Sequence, residues 1–317
     1  MKIVVLDAYA GNPSEPLWEK LKTYGETDIY EETISKHTEE RIRDAEIVFT
    51  NKTPISGRLM RATPTLKFIN VLSTGCNILD FETARELGIV ISNCPDYGTL
   101  AVAQHTMSLL LEITNSVGES SHAVPKGDWL LMRRKYFKEE PLIELYGKTI
   151  GIIGYGNIGR AFGKLAKAFG MNILAYALHK RTDLEDEQCR YADLETIYKE
   201  SDIISLHCPL TPTSEKMINA ETLAKMKDGV IILNCARGLL INEADIAKAL
   251  NSGKVYALGT DVASREPITE DNPLLGAKNC IITPHLAWAC TETRARLIQI
   301  AMQNLDAYLA GHPINQI

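Results

Sequence analysis

The chain has 317 residues, 45% of them hydrophobic and 23% charged, and a formal net charge of −6. This balance excludes disorder, supplies enough apolar material for full cores, and at roughly 150 residues per domain points to two domains. The acidic balance, with no long Lys/Arg run, argues against an electrostatic grip on nucleic acid or an anionic membrane, and no apolar run reaches the ~18 residues of a membrane helix.

In chain order, KIVVLD (2–7) reads as a buried first strand, because its apolar run meets Asp7 too early for a signal peptide. EIVFTN (46–51), LKFINVLS (66–73) and GIVISN (88–93) follow as further strands. The stretch 99–124, TLAVAQHTMSLLLEITNSVGESSHAV, has helical character and reads as a brace between domains or a dimer face. Residues 126–145 lack a period and read as a surface excursion. A second series comprises KTIGIIG (148–154), NILAYA (172–177), DIISLHCP (202–209), GVIILNCA (229–236), VYALGTDV (255–262) and NCIITP (279–284). Near-continuous apolar runs alternating with helical segments predict parallel sheets covered on both faces, hence a doubly wound α/β class. A last helix, 291–311, is expected to pack back onto one of the two domains. The seven cysteines are scattered, with no C-x-x-C pair, which points away from a metal or disulfide framework and towards a reducing cytoplasm.

TIGIIGYGNIGRAFGKLAKAFG carries G-x-G-x-x-G at Gly154, Gly156 and Gly159. It follows a strand and opens a helix that Gly170 is expected to end, the context that makes the motif specific for a dinucleotide pyrophosphate. The loop residues Gly154, Tyr155, Gly156, Asn157, Ile158 and Gly159 are therefore cofactor candidates, the amides near Asn157 and Ile158 meeting the anion at the positive helix end. An acidic residue for the ribose hydroxyls is expected at about position 177, but Ala177 stands there, followed by Leu178, His179, Lys180 and Arg181. The three basic side chains suit a 2′-phosphate, so the reading leans to NADP over NAD.

Three further phrases follow in order: ILNCARGLLINEADIAKAL (232–250), GTDVASREPITEDNPLL (259–275) and CIITPHLAWACTETR (280–294). With the glycine loop they make the chain resemble the D-isomer-specific 2-hydroxyacid dehydrogenase family. NCPDYGTLAVAQH (93–105) and TPHLAWA (283–289) resemble its glycerate dehydrogenase, or hydroxypyruvate reductase, branch. The resemblance implies a Rossmann cofactor domain, residues 100–288, inserted into a flavodoxin-like substrate domain, residues 1–99 and 289–317. It implies a homodimer and a catalytic set of Arg237, Glu266 and His285. In such a set a guanidinium grips the carboxylate and keto oxygen of a 2-keto acid. The imidazolium donates the proton, and the carboxylate favours its charged form and fixes its tautomer.

By the same resemblance Ser73, Thr74 and Gly75 in LSTGCN hold the substrate carboxylate, together with Arg237 and His285. His207, Cys208, Pro209 and Thr213 line the adenosine side, and Cys235, Ala236 and Asp261 line the nicotinamide side. Cys76 departs from the family's often larger residue, and Trp288 reads equally as pocket wall or core. The implied reaction is hydride transfer between a nicotinamide cofactor and D-glycerate/hydroxypyruvate. Lactate-, phosphoglycerate- or glyoxylate-type acids are the alternatives within the class; RRK (133–135) would be the grip for a phosphate. A non-enzymatic, dinucleotide-sensing corepressor is the alternative outside it, weakened by the intact catalytic trio. No metal is expected.

Overall fold

The computed structural model describes residues 1–11, 16–127, 129 and 142–317. It divides into two compact units, 1–98 with 288–317, and 99–287. The first unit begins with β1 (Lys2–Val5), α1 (Pro16–Lys20), β2 (Glu26–Ile29), α2 (Thr38–Ile42), β3 (Ile47–Thr50), α3 (Gly57–Ala62), β4 (Phe68–Val71), α4 (Phe81–Leu87) and β5 (Val90–Ser92). Its sheet has the order β2-β1-β3-β4-β5, every pair parallel. Alternation sorts each strand between two cores. Ile3, Val5, Ile47, Phe49 and Phe68 pack on one face, and Val4, Val48, Ile69 and Val71 on the other with Ile42, Leu59 and Met60. Both faces are buried, as a parallel sheet requires.

The second unit opens with α5 (Thr99–Asn115) and α6 (Val117–Ala123), and continues with β6 (Thr149–Ile153), α7 (Asn157–Ala168), β7 (Asn172–Tyr176), β8 (Cys189–Tyr191), α8 (Leu194–Glu200), β9 (Ile203–Leu206), α9 (Ala220–Lys225), β10 (Val230–Asn234), α10 (Glu243–Ser252), β11 (Val255–Thr260) and β12 (Cys280–Ile282). The sheet order is β12-β11-β10-β9-β6-β7-β8, again parallel throughout. Chain order reverses between β6 and β9, the switch point at whose carboxyl end doubly wound sheets bind ligands. The chain then returns to the first unit as α11 (Thr291–Leu309), whose Leu297, Ile298, Ala301, Met302 and Leu305 complete that unit's core.

Two details differ from the sequence reading. The strands β2 and β8 carry no sequence signal; both are sheet edges, and ETDI and CRY lack the apolar run of a central strand. The stretch 99–124 is two helices and a short 3₁₀ turn, not one helix. Ser116 breaks it in the left-handed region at φ 47°, and the Glu112 carboxylate caps the restart by accepting from the Gly118 amide at 3.0 Å.

Candidate active site

At the end of β6 the chain must turn tightly between two strand ends. Gly154 does so at φ 100°, and a Cβ there would lie 2.5 Å from the Cys208 amide nitrogen. A Cβ on Gly159 would lie 2.2 Å from the Gly154 carbonyl oxygen, so helix α7 can approach the strand only as glycine. A Cβ on Gly156 would meet nothing within 4 Å. That open space lies at the N-cap of a 12-residue helix, whose first-turn amides have no acceptor within the helix. A pyrophosphate fits this cradle by size and by charge. Asn157 and Ile158 are the first two helical residues. Tyr155 contributes backbone at most: its ring is buried edge-on against Tyr191, with its hydroxyl 3.4 Å from the Cys189 thiol.

Beyond β7, His179, Lys180 and Arg181 are exposed, and Arg181 forms a two-point pair with Asp183 at 2.7 and 3.2 Å. Beyond β9, the His207 imidazole bonds Ser205 Oγ at 2.8 Å, and burial pushes its titration down to about 4. Burial pushes the Cys208 and Cys235 thiols up, to about 11 and about 12, so neither is a ready nucleophile. Pro209 and Thr213 lie on the exposed part of the same loop, Thr213 bonded to the Thr211 hydroxyl at 3.0 Å.

The neighbouring ends of β10, β11 and β12 carry the remaining groups. Buried Asn234 accepts from the Ala236 amide at 3.1 Å and donates to the Arg237 carbonyl at 2.9 Å, which shapes the turn holding Cys235, Ala236 and Arg237. Gly238 lets this turn meet the next one, because a Cβ there would lie 2.0 Å from the Ala263 carbonyl carbon. Glu266 Oε2 lies 2.6 Å from His285 Nδ1, and the two side chains are 32% and 30% exposed. A carboxylate can only accept, so Nδ1 carries a hydrogen and Nε2 is the ring position left to exchange a proton. Asp261 is buried; its oxygens accept from Thr283 Oγ1 at 2.6 Å and from the Leu286 and Ala287 amides at 3.0 and 2.8 Å. Among the described residues no group of three or more His, Cys, Asp or Glu is arranged to hold a metal ion.

In the first unit, the carbonyls of Ser73, Thr74 and Gly75 are taken by Cys94 N (3.1 Å), Asn93 Nδ2 (2.9 Å) and Ser73 Oγ (2.5 Å). In a planar trans peptide the amide points opposite its carbonyl, so the amides of Thr74, Gly75 and Cys76 each point away from the group that the preceding carbonyl bonds. An anion would find donors in these amides, with the Ser73 hydroxyl occupied inside the loop. Trp288 packs edge-on against Tyr97, ring centres 6.3 Å apart. The RRK segment lies outside the described residues.

Sequence reasoning missed Asn234 and Gly238, which hold the Arg237 turn. The one signal was a polar residue closing an otherwise apolar strand, VIILN, in front of a conformationally free glycine.

A dinucleotide cradle at the switch point of a seven-stranded parallel sheet, with a carboxylate–imidazole pair on the turns after β11 and β12, defines an α/β nucleotide-dependent oxidoreductase class. The sequence profile described as "D-isomer specific 2-hydroxyacid dehydrogenase, NAD binding domain" matches residues 107–287. The chain is 52% identical, over its whole length and 99% of the relative's, to a hydroxypyruvate reductase of Blautia hydrogenotrophica. It is 36% identical to a glycerate dehydrogenase of Methylorubrum extorquens, over 93% of this chain and 91% of that one. The crystal structure of the TT0316 protein from Thermus thermophilus superposes with a TM-score of 0.90 at 31% identity, covering all of both chains. The chain belongs to the D-isomer-specific 2-hydroxyacid dehydrogenase family, and it is an enzyme of nicotinamide chemistry.

Proposed function

We propose that the chain interconverts hydroxypyruvate and D-glycerate. The observation that carries this reading is the 2.6 Å Glu266–His285 pair on strand-end turns beside the one bearing Arg237. The names of its relatives, hydroxypyruvate reductase and glycerate dehydrogenase, support the substrate. Residues 99–287 act as the cofactor domain and the rest as the substrate domain.

The nicotinamide, when bound, supplies or accepts the hydride at C2. Gly154, Gly156 and the amides of Asn157 and Ile158 hold its pyrophosphate. His179, Lys180 and Arg181 hold a 2′-phosphate, giving a preference for NADP. Pro209, Thr213 and the backbone of His207 and Cys208 border the adenosine, and Cys235, Ala236 and Asp261 the nicotinamide end. Arg237 grips the keto acid's carboxylate and polarises its ketone. As negative charge develops on the ketone oxygen, His285 Nε2 delivers a proton there. Glu266 accepts from Nδ1 throughout, which fixes the ring's orientation and balances the imidazolium. In the oxidative direction neutral His285 takes the proton back.

Exposed Leu100, Val117 and Val124 on the 99–124 stretch support a homodimer through that surface. Seven free thiols support a cytoplasmic setting; no helix among the described residues is long and apolar enough to cross a membrane.

Steady-state rates for hydroxypyruvate, glyoxylate and pyruvate with each reduced cofactor test the reading. Hydroxypyruvate is expected to give the highest kcat/KM, and His285→Ala to lower kcat by about 10²–10⁴-fold. A faster pyruvate or glyoxylate reaction transfers the proposal to that acid. Tight dinucleotide binding with no turnover of any of them would leave a binding protein instead.

A further inference from the structure

The turn that presents His285 is strained and is held from one side. His285 adopts φ 53°, the left-handed region that disfavours a side chain. The amides of three successive residues, 285, 286 and 287, all donate to Asp261: His285 to its carbonyl at 2.8 Å, Leu286 to Oδ1 at 3.0 Å and Ala287 to Oδ2 at 2.8 Å. The orientation of the Asp261 carboxylate therefore sets the turn.

That carboxylate is steered from behind. Thr283 Oγ1 lies 2.6 Å from Asp261 Oδ1, and His105 Nε2 on helix α5 lies 3.0 Å from the same hydroxyl and 3.6 Å from Oδ1. A hydroxyl has one proton. The carboxylate, an acceptor towards two amides, takes it, so the threonine oxygen has only lone pairs left for His105. Nε2 must then carry a hydrogen and donate. The polarity of the chain is fixed as His105 N–H to Thr283 O–H to Asp261 to the turn of His285. All of these contacts lie within the second unit.

We propose that His105 is a positioning residue for the reaction: through Thr283 and Asp261 it holds the strained turn in the register that lets the His285 ring meet Glu266. The inference rests on the reading of His285 as the proton donor. Leu at this position removes the donor, whereas Gln returns an N–H at nearly the same reach, as Ser in place of Thr283 returns the hydroxyl and Val does not.

The experiment compares His105→Leu, His105→Gln, Thr283→Val, Thr283→Ser and the double variant His105→Leu/Thr283→Val, with His285→Gln run alongside. We expect kcat to fall on the order of tenfold in His105→Leu and Thr283→Val, with KM for hydroxypyruvate and Kd for the reduced cofactor within about twofold of the parent. His105→Gln and Thr283→Ser should recover most of the loss, and the double variant should cost little more than the worse single one. In ¹⁵N spectra of histidine side chains a protonated His105 Nε2 should be present in the parent and perturbed in Thr283→Val. Parental kcat in His105→Leu, no recovery by Gln, or fully additive losses would overturn the proposal. Parental kcat in His285→Gln would instead overturn the reading beneath it.

Discussion

His207 stands just past β9 with Nε2 on the Ser205 hydroxyl and its ring centre 5.3 Å from that of Phe162. Burial lowers its titration from an unfolded 6.5 to about 4. At pH 7 the folded state holds it neutral and the unfolded state mostly so, so its contribution to stability is nearly complete there. Below 6.5 the unfolded chain takes a proton that the folded one refuses, and stability is lost until about pH 4, where the folded state also titrates. Between pH 7 and pH 5 the loss should approach about 2 kcal/mol. Urea unfolding at the two pH values should show a smaller drop for His207→Gln than for the parent; equal drops would show that another group carries the acid sensitivity. Arg237, Glu266 and His285 were singled out through the family resemblance, which rests on distinctive phrases at or near the ends of apolar runs. Asn234, Thr283 and His105 were not, because their meaning lies in hydrogen-bond direction across turns, and a Thr or Asn in sequence carries no sign of what it faces.

Among elements, the central strands announced themselves and the edges did not. β1, β3, β6, β9 and β10 are buried on both faces, and their Val/Ile-rich sequences follow directly from that. An edge strand such as β2 is half-solvated and tolerates Glu-Thr-Asp, a composition that also suits a loop. The split of the 99–124 stretch was equally hidden, since Asn115 and Ser116 are ordinary helix-surface residues until Glu112 caps the break. Close approach between loops is the strongest constraint at this scale. Gly238→Ala would drive a methyl into the Ala263 carbonyl, backbone that cannot rotate away. The turn carrying Arg237 and the segment carrying Glu266 would have to separate. We expect a stability loss of about 1–3 kcal/mol by thermal or urea unfolding, with KM for the keto acid raised as well as kcat lowered. Unchanged kinetics in a stable Gly238→Ala protein would mean that the two turns need not touch for catalysis.

For the molecule as a whole, two α/β halves were visible as two series of apolar runs; no composition shift marks either crossing, and it was the family resemblance alone that implied an inserted segment, 100–288, where the second compact unit is 99–287. The cofactor's phosphate count is the property of the whole chain that its local residues decide most directly. Ala177 removes the carboxylate that would repel a 2′-phosphate, and Lys180 and Arg181 follow on exposed backbone beyond β7. The Arg181–Asp183 pair does not block this role: both partners are exposed, and a solvent-screened ion pair yields to a charge-assisted bond to a phosphate. NADPH should therefore show the higher kcat/KM. Lys180→Ala/Arg181→Ala should lower kcat/KM for NADPH by about tenfold or more and leave NADH within about twofold, with the NADPH advantage shrinking as salt is raised. NADH used as well as NADPH by the parent would instead make the basic segment after β7 a solvated loop, with ribose recognition left to other residues.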